Sequence, residues 1–450
     1  MEHPFPLGHF RIATQEQLDT LRGLGLNTVR VLPERSDPQA LAVLVQEGVM
    51  ATWAGDPTDH ELPLAALSLD FLEDAPAAEA PGGGLPSQMT PEPSASPVLP
   101  GGRSTEPAGD KAQRLQALKQ ERNLALRAER EHAEAGRSLR RSLELLASRP
   151  EAAREVCEQQ VHRFLDKLQG SEEMAIRLLS DSAGDRSALH EVNVAVLSLL
   201  LGRQMAMEPA DMFDLGVGAL LHDVGKTELP ERVRWLDPVS PQMRSHERHA
   251  YQEHVGHGTR LGRQMGLSDG ALRILAQHHE LADGSGFPLR LSAAQMSVPA
   301  SVVSLINRYD KLCNPATPSQ ALTPHEALAL MYAQTQSQFE PRVFGAFVKM
   351  MGVYPPGSVV QLTDGRYAMV TSANVARPLR PRVRVHDAHG ARDDAVPLDL
   401  QDRPDLGIQR SLKPQQLPRA ALAYLSPRAR ICYFFERARE PVPVALEAVQ

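Results

Sequence analysis

Half of the sixteen histidines in this chain fall between residues 190 and 279, and this concentration restricts the fold more than any other feature of the sequence. Apolar residues follow helical spacing from residue 151 to about 350, in stretches separated by Gly, Pro or Asp, which predicts an all-α domain. Several of its helices carry histidine, alone or in a pair: His190, His222-Asp223, His254 and His278-His279. Separate helices that each offer an imidazole are typical of a metal site in the core of a bundle.

Two segments precede the connection to this domain. Residues 1–73 contain a helix-like stretch at 15–24 and a strand-like stretch at 27–32, which predicts a small α/β module. Residues 74–109 hold eight prolines and six glycines and no aromatic residue. Such a composition buries too little apolar surface to offset the entropy of ordering, so we expect a disordered linker.

The remaining segments flank the helical domain, which we place at residues 151–352. Residues 110–150 are rich in Arg, Glu, Leu and Ala and predict one long charged helix, either a solvated connecting helix or a coiled-coil helix of a homodimer. Residues 353–450 contain β-branched runs around an Asp-Gly turn, which predicts a small β-rich subdomain, a partly open barrel, and a tail. The predicted fold class is mainly α, a helical bundle between an N-terminal α/β module and a C-terminal β-rich subdomain.

Composition excludes several classes of protein. The 450 residues carry a net charge of −7, which lacks the positive field of a dedicated DNA- or RNA-binding protein. No apolar stretch approaches the roughly 20 residues of a membrane span, and the first residues lack the basic and apolar regions of a secretory signal. The three cysteines lie far apart and fit neither a disulfide framework nor a CxxC zinc site. We therefore expect a cytoplasmic protein.

The His222-Asp223 pair is the centre of the predicted site. At a helix end its imidazole could bind one metal while its carboxylate bridges two, and Gly225 permits a close approach of ligands. An isolated histidine such as His190 is more often a hydrogen-bonded core residue, and three nearby histidines are most simply solvated: His246, His249 and His257. The ordered series as a whole favours a metal site, because a structural core gives no reason for it.

Four sequence words resemble motifs of the HD-GYP family, a branch of the HD-domain metal-dependent phosphohydrolases. They cover a region from about residue 171 to 352, and the longest is also the most specific. In chain order they are Leu221-His222-Asp223-Val224-Gly225-Lys226, His254-Val255-Gly256-His257-Gly258, His278-His279-Glu280-Leu281-Ala282-Asp283-Gly284-Ser285-Gly286-Phe287-Pro288 and Ile306-Asn307-Arg308-Tyr309-Asp310-Lys311-Leu312. The N-terminal module is also similar to the small domain that often precedes HD-GYP.

The resemblance implies hydrolysis of the bacterial second messenger cyclic di-GMP, to the linear dinucleotide pGpG or onward to GMP. It implies two divalent metal ions, Fe or Mn, as cofactors, and catalytic roles for Lys226, at the scissile phosphate, and for the bridging Asp223. The implied metal ligands form two sets that share that aspartate: His190, His222 and Asn307 for one ion, and His254, His278 and His279 for the other. The implied substrate-binding residues are Asp283, Gly284, Gly286, Phe287 and Asp310.

The chain departs from the family pattern at four places. Asn307 stands where the family has a metal-binding Asp, and Phe287 replaces the signature Tyr. Arg186 stands where members with three metals have an acid, so we expect two metals. Residues 315–320, Pro-Ala-Thr-Pro-Ser-Gln, lack the family's basic side chains. These departures leave a second function open, a degenerate domain that responds to nucleotide or binds partners such as diguanylate cyclases or response regulators without turnover.

Overall fold

The computed structural model describes residues 28–31, 60–63, 108–170, 173–180, 188–234, 244–388, 395, 397–427 and 430–438. The chain separates into two units, and the second begins at Ala108. In the first unit, β1 (Thr28–Val31) pairs antiparallel with β2 (His60–Pro63). A strand at the predicted place is thus present. The predicted helix at 15–24 and the predicted linker, up to residue 107, lie outside the described residues.

The second unit is mainly helical, as predicted. Its helices are α1 (Ala108–Leu145), α2 (Pro150–Leu168), α3 (Leu189–Gln204), α4 (Pro209–Leu221), α5 (Glu231–Arg234), α6 (Ser245–Met265), α7 (Asp269–Gln277), α8 (Val298–Cys313), α9 (Pro324–Leu330), α10 (Pro341–Met351) and α11 (Arg419–Leu425). Several begin with a proline in their first turn, where the missing N–H costs nothing. None of the described helices combines the length and apolar character that crossing a bilayer requires.

Helix α3 is the centre of the bundle. Twelve of its residues are buried, and a helix that is apolar on all sides has to be surrounded by other elements. It contacts α4 and α8, and α4 in turn contacts α7. The predicted metal ligands lie on or at the ends of these helices and of α6, so the packing of α3 brings them toward one region of the core.

Helix α1 packs along the domain instead of standing apart from it. Ala128, Ala135 and Leu139 lie on one buried stripe and join the main core, and the helix contacts α2. Farther toward its start, Glu121 accepts two hydrogen bonds from Arg177 at 2.6 and 3.1 Å. The prediction of one long charged helix is therefore confirmed, and its role in a homodimer stays a prediction.

A seven-stranded antiparallel sheet covers one side of the bundle. Its strands are β3 (Met174–Leu178), β4 (Val359–Leu362), β5 (Tyr367–Asn374), β6 (Arg382–Val385), β7 (Leu398–Asp399), β8 (Ile408–Leu412) and β9 (Tyr433–Arg437). The hydrogen-bonded order is β7-β6-β5-β3-β9, with β4 beside β5 and β8 beside β4. One edge of β5 pairs with β6, while its other edge pairs first with β4 and then with β3. The predicted turn at Asp364-Gly365 joins β4 and β5, and Gly365 has φ of 85°.

Strand β3 corrects the prediction that residues 151–352 are all helical. It lies between α2 and α3 in the sequence but between β5 and β9 in the sheet. All five of its residues are buried, because one face lies on the bundle and both edges are paired. The main core accordingly contains residues of the helices and of β3, β5 and β9 together, while β4 to β8 also enclose a smaller core of their own. A boundary at residue 352 therefore does not separate two cores.

Candidate metal centre

The His222-Asp223 pair lies where α4 gives way to a 3₁₀ turn at Val224–Glu228, and this turn packs directly on α6. A Cβ atom on Gly225 would stand 1.9 Å from the carbonyl oxygen of His254 and 2.4 Å from the backbone nitrogen of Gly258. Only glycine allows this approach. The predicted close approach at Gly225 is thus between the backbone of the 3₁₀ turn and the backbone of α6. It places the His222-Asp223 pair beside His254.

The carboxylate of Asp223 lies between two groups of histidines. Its Oδ2 is 3.3 Å from Nε2 of His222 and 3.7 Å from Nε2 of His190. Its Oδ1 is 3.5 Å from Nε2 of His254 and 3.6 Å from Nε2 of His278. Each oxygen thus faces a different pair of imidazoles, which is the arrangement that a bridging carboxylate requires.

Backbone carbonyls fix which ring nitrogen each histidine presents. In three cases Nδ1 lies against the carbonyl oxygen three residues earlier: His222 at 2.7 Å, His254 at 2.5 Å and His278 at 2.9 Å. A carbonyl only accepts, so Nδ1 carries the proton and Nε2 carries a lone pair in the neutral ring. A second contact of this kind is the usual way in which a metal-ligating imidazole is oriented.

The lone pairs then face one another. Nε2 of His190 and His222 are 3.2 Å apart, and Nε2 of His254 and His278 are 3.3 Å apart. Burial lowers the pKa of His254 to about 3 and that of His278 to about 4, so both rings are neutral near pH 7. Two opposed acceptors repel unless a cation lies close to both.

Three buried polar atoms support the same conclusion, because none of them has a hydrogen-bond partner: Nε2 of His279, Oδ1 of Asp223 and Oδ1 of Asn307. Ligand atoms that lie within 4.8 Å of one another define two sets with Asp223 in common. One set is His190, His222 and Asp223, and the other is Asp223, His254, His278 and His279. Imidazole nitrogens and a shared carboxylate fit two divalent cations of the first transition row.

Asp310 is a buried carboxylate beside His190. It is 1% exposed, and its Oδ2 is 2.6 Å from Nδ1 of His190. Its Oδ1 accepts hydrogen bonds from the side-chain amides of Asn193 at 2.8 Å and Asn314 at 3.0 Å. The carboxylate of Asp310 therefore orients His190, and its predicted contact with substrate stays a prediction.

Asn307 lies one helical turn before Asp310 on α8 and is 2% exposed. Residues three apart share a face of a helix, so Asn307 is on the face that supports His190. The two sets of candidate ligand atoms consist of histidines and Asp223 and do not include it. Its unpartnered Oδ1 is consistent with the predicted role as a weak neutral ligand, which stays a prediction.

Lys226 belongs to the centre. Its Nζ donates to Oδ2 of Asp223 at 2.6 Å and lies 5.3 Å from the ring centroid of Tyr251. Burial alone would raise the pKa of Asp223. Nearby positive charges, chiefly that of Lys226, outweigh this effect and hold the pKa well below its usual range. Both groups are therefore charged near neutral pH, and the alternative of a solvated lysine at a helix end is wrong.

The loop after His279 is tied to the centre by one buried carboxylate. Glu280 accepts hydrogen bonds from the backbone of Leu289 at 2.7 Å and of Leu291 at 2.8 Å. A Cβ on Gly286 would stand 2.4 to 2.6 Å from backbone atoms of residues 279–281, so this position also requires glycine. The ring of Phe287 stacks on that of His279 with centroids 4.5 Å apart.

Two further predicted substrate-binding residues shape the same loop. The exposed Asp283 accepts hydrogen bonds from the backbone and the hydroxyl of Ser285 at 2.9 and 2.5 Å. Gly284 has φ of 76°, in the left-handed region that favours glycine. Both therefore serve the turn itself, and a direct contact with substrate stays a prediction for them and for Phe287.

Several other expectations concern residues around the centre. His246 and His249 are exposed, as predicted, whereas Nδ1 of His257 lies 3.5 Å from Glu228. Residues 316–320 are exposed and contain a short 3₁₀ turn. Arg186 lies outside the described residues, so the expected absence of a third metal stays a prediction.

Sequence reasoning missed four residues at the centre: Asn193, Glu191, Tyr251 and Lys311. Tyr251 precedes His254 by one turn of α6, and its ring centroid is 4.8 Å from that of His254. Burial raises the pKa of Glu191, whose Oε2 has no hydrogen-bond partner. A one-turn spacing from a motif histidine is the signal that would have found Tyr251.

Profiles of known protein domains match three parts of this chain. Residues 168–343 match the profile of the HD domain, residues 1–157 match a domain of unknown function called DUF3391, and residues 359–420 match a KOW domain associated with the HD domain. The KOW match contains β4 to β8, whereas β3 and β9 extend the same sheet from outside it.

Curated relatives match the helical region. The chain is 31% identical over 205 residues to cyclic di-GMP phosphodiesterase PA4108 of Pseudomonas aeruginosa, covering 44% of this chain and 47% of the relative. It is 27% identical over 175 residues to 3'3'-cGAMP-specific phosphodiesterase 3 of Vibrio cholerae, covering 39% and 37%. The matched region spans less than half the length of either relative.

Among solved structures, the chain is similar to Bd1817, a HDG"Y"P protein from Bdellovibrio bacteriovorus, with 19% identity over 48% of this chain and 69% of that chain. The TM-score of 0.37 is too low for the superposition to support an argument. The chain therefore contains an HD domain, preceded by a DUF3391 domain and followed by a KOW domain associated with the HD domain.

Proposed function

We propose that this protein is a metal-dependent phosphodiesterase that hydrolyses cyclic di-GMP to linear pGpG, to GMP, or to both. The observation that carries the proposal is the position of Asp223, whose two oxygens each face a different pair of imidazole Nε2 atoms. Two cations held side by side by a shared carboxylate are the usual centre for hydrolysis of a phosphodiester. The names of the two curated relatives support a cyclic dinucleotide as the substrate class.

The histidine sets would hold the cations, with Fe or Mn as the metals that we predict for such ligands. When bound, two such ions supply a water of lowered pKa and positive charge that stabilises the phosphodiester in its transition state. The protein supplies the orientation of the ligands and an ammonium group. Lys226 remains charged because Asp223 raises its pKa against the effect of burial, so it can contact a phosphate oxygen as a point charge.

The test is a turnover assay on protein loaded with Mn²⁺ or Fe²⁺ without air. We expect hydrolysis of cyclic di-GMP, with 3',3'-cGAMP as the comparison substrate and product analysis to separate pGpG from GMP. Asp223→Asn should lower kcat/KM by at least about a hundredfold, because it removes the shared charge of both sites. His246→Ala, which alters an exposed histidine of the same domain, is the matched control and should leave turnover at the wild-type level.

One observation favours a second function. Asn307 offers a neutral oxygen to the set around His190, which weakens that site relative to one with a carboxylate. A domain that binds the nucleotide without turnover, and acts through partners such as diguanylate cyclases or response regulators, would fit a half-loaded centre. Binding of cyclic di-GMP by the metal-loaded protein without formation of product would select this function. The cytoplasmic location and a homodimer also stay predictions.

A further inference from the structure

Lys311 is a charged residue of the metal centre that forms no ion pair with any carboxylate among the described residues. It is half-buried on α8, directly after Asp310, which orients His190. Its Nζ is 3.5 Å from the hydroxyl oxygen of Tyr251, at the outer limit of a hydrogen bond. A contact of this length holds the ammonium only weakly, so its N–H groups can also donate to a bound ligand.

The surroundings of Tyr251 show where that charge lies. The ring of Tyr251 is edge-on to those of His254 and His279, with centroids 4.8 and 6.0 Å away. Lys226 lies 5.3 Å from the ring centroid, whereas Lys311 lies at the hydroxyl end. The two ammonium groups thus flank one buried tyrosine beside the histidines. The first is already paired with Asp223, and the second is not.

The sequence after α8 increases the importance of this charge. From residue 312 to residue 341 the chain contains no Lys and no Arg. The exposed segment at 316–320 therefore offers no cation to a ligand at the centre. Lys311 is the last basic side chain on this stretch, and it is held at the end of a rigid helix, which suits a site that must be positioned accurately.

We propose that Lys311, positioned by the hydroxyl of the buried Tyr251, forms a second phosphate-binding position, which holds the phosphate of a cyclic dinucleotide that is not being cleaved. The inference rests on the proposed function, because only a substrate with two phosphates needs both positions. An ammonium donates to phosphate oxygens, and a charge-assisted contact of this kind is stronger than a neutral one. The position would favour cyclic dinucleotides over substrates with a single phosphodiester.

The test compares Lys311→Ala with the wild-type protein loaded with Mn²⁺. We expect KM for cyclic di-GMP to rise roughly 10- to 100-fold with kcat within about threefold of the wild-type value, since a hydrogen bond to a charged group is lost. Lys311→Arg should recover most of the affinity, and Tyr251→Phe should raise KM by less than Lys311→Ala. The matched control is Lys349→Ala, an exposed lysine at the end of α10.

The rise in KM that Lys311→Ala causes should be smaller for bis(4-nitrophenyl) phosphate than for cyclic di-GMP, because the former has a single phosphodiester. An unchanged KM for cyclic di-GMP in Lys311→Ala would overturn the inference. So would a joint fall of kcat and bound metal at constant KM, because Lys311 would then support the metal centre alone. If the wild-type protein binds cyclic di-GMP without turnover, the same changes are expected in Kd. A wild-type protein that neither binds nor hydrolyses it refutes the proposed function itself.

Discussion

Orientation of the imidazole rings decides what this site can do. Three histidines use a carbonyl of their own helix to fix the tautomer, whereas His190 uses the carboxylate of Asp310, which comes from another helix. His190 is also the most exposed of the four, at 22%. The orientation of His190 therefore depends more than that of the others on a residue distant in sequence. For this reason we expect the set that contains His190 to bind its metal ion more weakly than the other set.

Asp310→Asn should expose this dependence. The change keeps the size of the side chain but removes the charge that holds Nδ1 of His190, and loss of such a contact typically costs a roughly 10- to 100-fold weakening of metal binding. We expect one of two metal ions to be lost at moderate chelator concentration, with the helix content unchanged. Metal quantification after graded chelation measures this. Loss of both ions in parallel would contradict the independent roles given to the two histidine sets.

Asn307→Asp should have the opposite effect. It replaces a neutral oxygen by a charged one at a buried atom without a partner, so affinity for the weaker metal should rise, by roughly tenfold. Turnover should rise with it if that metal limits the reaction. Competition with a chelator gives the affinity, and Asn123→Asp, on the exposed face of α1, is the control. If metal content and turnover both stay at wild-type levels, Asn307 is not a ligand.

Asn314, which follows the same motif, would be a misleading control. Its amide donates to Asp310 and to the carbonyl of Ile431, and its oxygen accepts from the backbone of Ile431 at 2.8 Å. Asn314→Asp would place a second carboxylate beside Asp310. Asn314 lies beyond the motif in the sequence, yet it contacts Asp310 and Ile431 across the fold, so a change there is not neutral for the centre.

Sequence words located Asp223 and the histidines at 222, 254, 278 and 279 because these residues have fixed places in the words, whereas His190 was identified from its place in the series. The partners that orient or surround them were not found in this way. Asn193 contacts Asp310 from a position 117 residues away, and Lys311 meets Tyr251 across 60 residues. Such contacts follow from helix packing, which a one-dimensional pattern does not contain.

At the scale of elements, the contact between the 3₁₀ turn and α6 holds the two histidine sets together. Gly225→Ala should force them apart, because its Cβ would overlap backbone atoms that cannot rotate away. We expect the free energy of unfolding to fall by at least the roughly 1–3 kcal/mol that is typical of an overpacked core. We also expect loss of metal. Thermal unfolding and metal analysis measure the two effects.

Gly256→Ala is the matched control on α6. No atom lies within 4 Å of the Cβ that it would add, and alanine is the better helix former by roughly 0.5–1 kcal/mol. This variant should be at least as stable as the wild type and keep both metals. Equal destabilisation of the two glycine variants would mean that the close approach at Gly225 is not what positions the centre.

Prediction of secondary structure between residues 151 and 352 succeeded for the long helices and failed for the short strand β3. The stretches that became α3, α6 and α8 have many turns of apolar spacing, and they were assigned correctly. Strand β3 has five residues between two helices, and its partners lie about 200 to 260 positions later. A short apolar run of this kind does not distinguish a strand from part of a helix.

At the scale of the whole molecule, the bundle and the sheet share one core. Phe434 and Phe435 of β9 pack edge-on against Phe164 of α2, with centroids 6.0 and 5.7 Å away. The helix that carries His190 is tied to the same region, because the side chain of Asn193 bonds to the backbone of Ile431 and of Tyr433. The metal centre therefore depends on residues beyond the HD match.

A chain that ends at residue 352 should fail to form a stable metal centre. It would leave both edges of β3 unpaired and would expose the aromatic residues that β9 covers, so we expect loss of cooperative unfolding and rapid proteolysis. Circular dichroism during heating and limited proteolysis measure this. The control is a chain that ends at residue 438, which keeps every described strand. Equal stability of the two shortened chains would show that the sheet is a separable unit.

The pairing of β3 with β9 also has a consequence for synthesis. Arg177 and its partner Glu436 are 259 residues apart, so at the usual 5–20 residues per second the ribosome needs roughly 10–50 s to make the second after the first. For about the second half of that interval, after Asn307 has been made, the nascent chain contains every predicted metal ligand yet lacks the strand and the backbone groups that hold α3 in place. We therefore expect a translation product that ends before β9 to lack a formed metal centre even though it carries all of the predicted ligands.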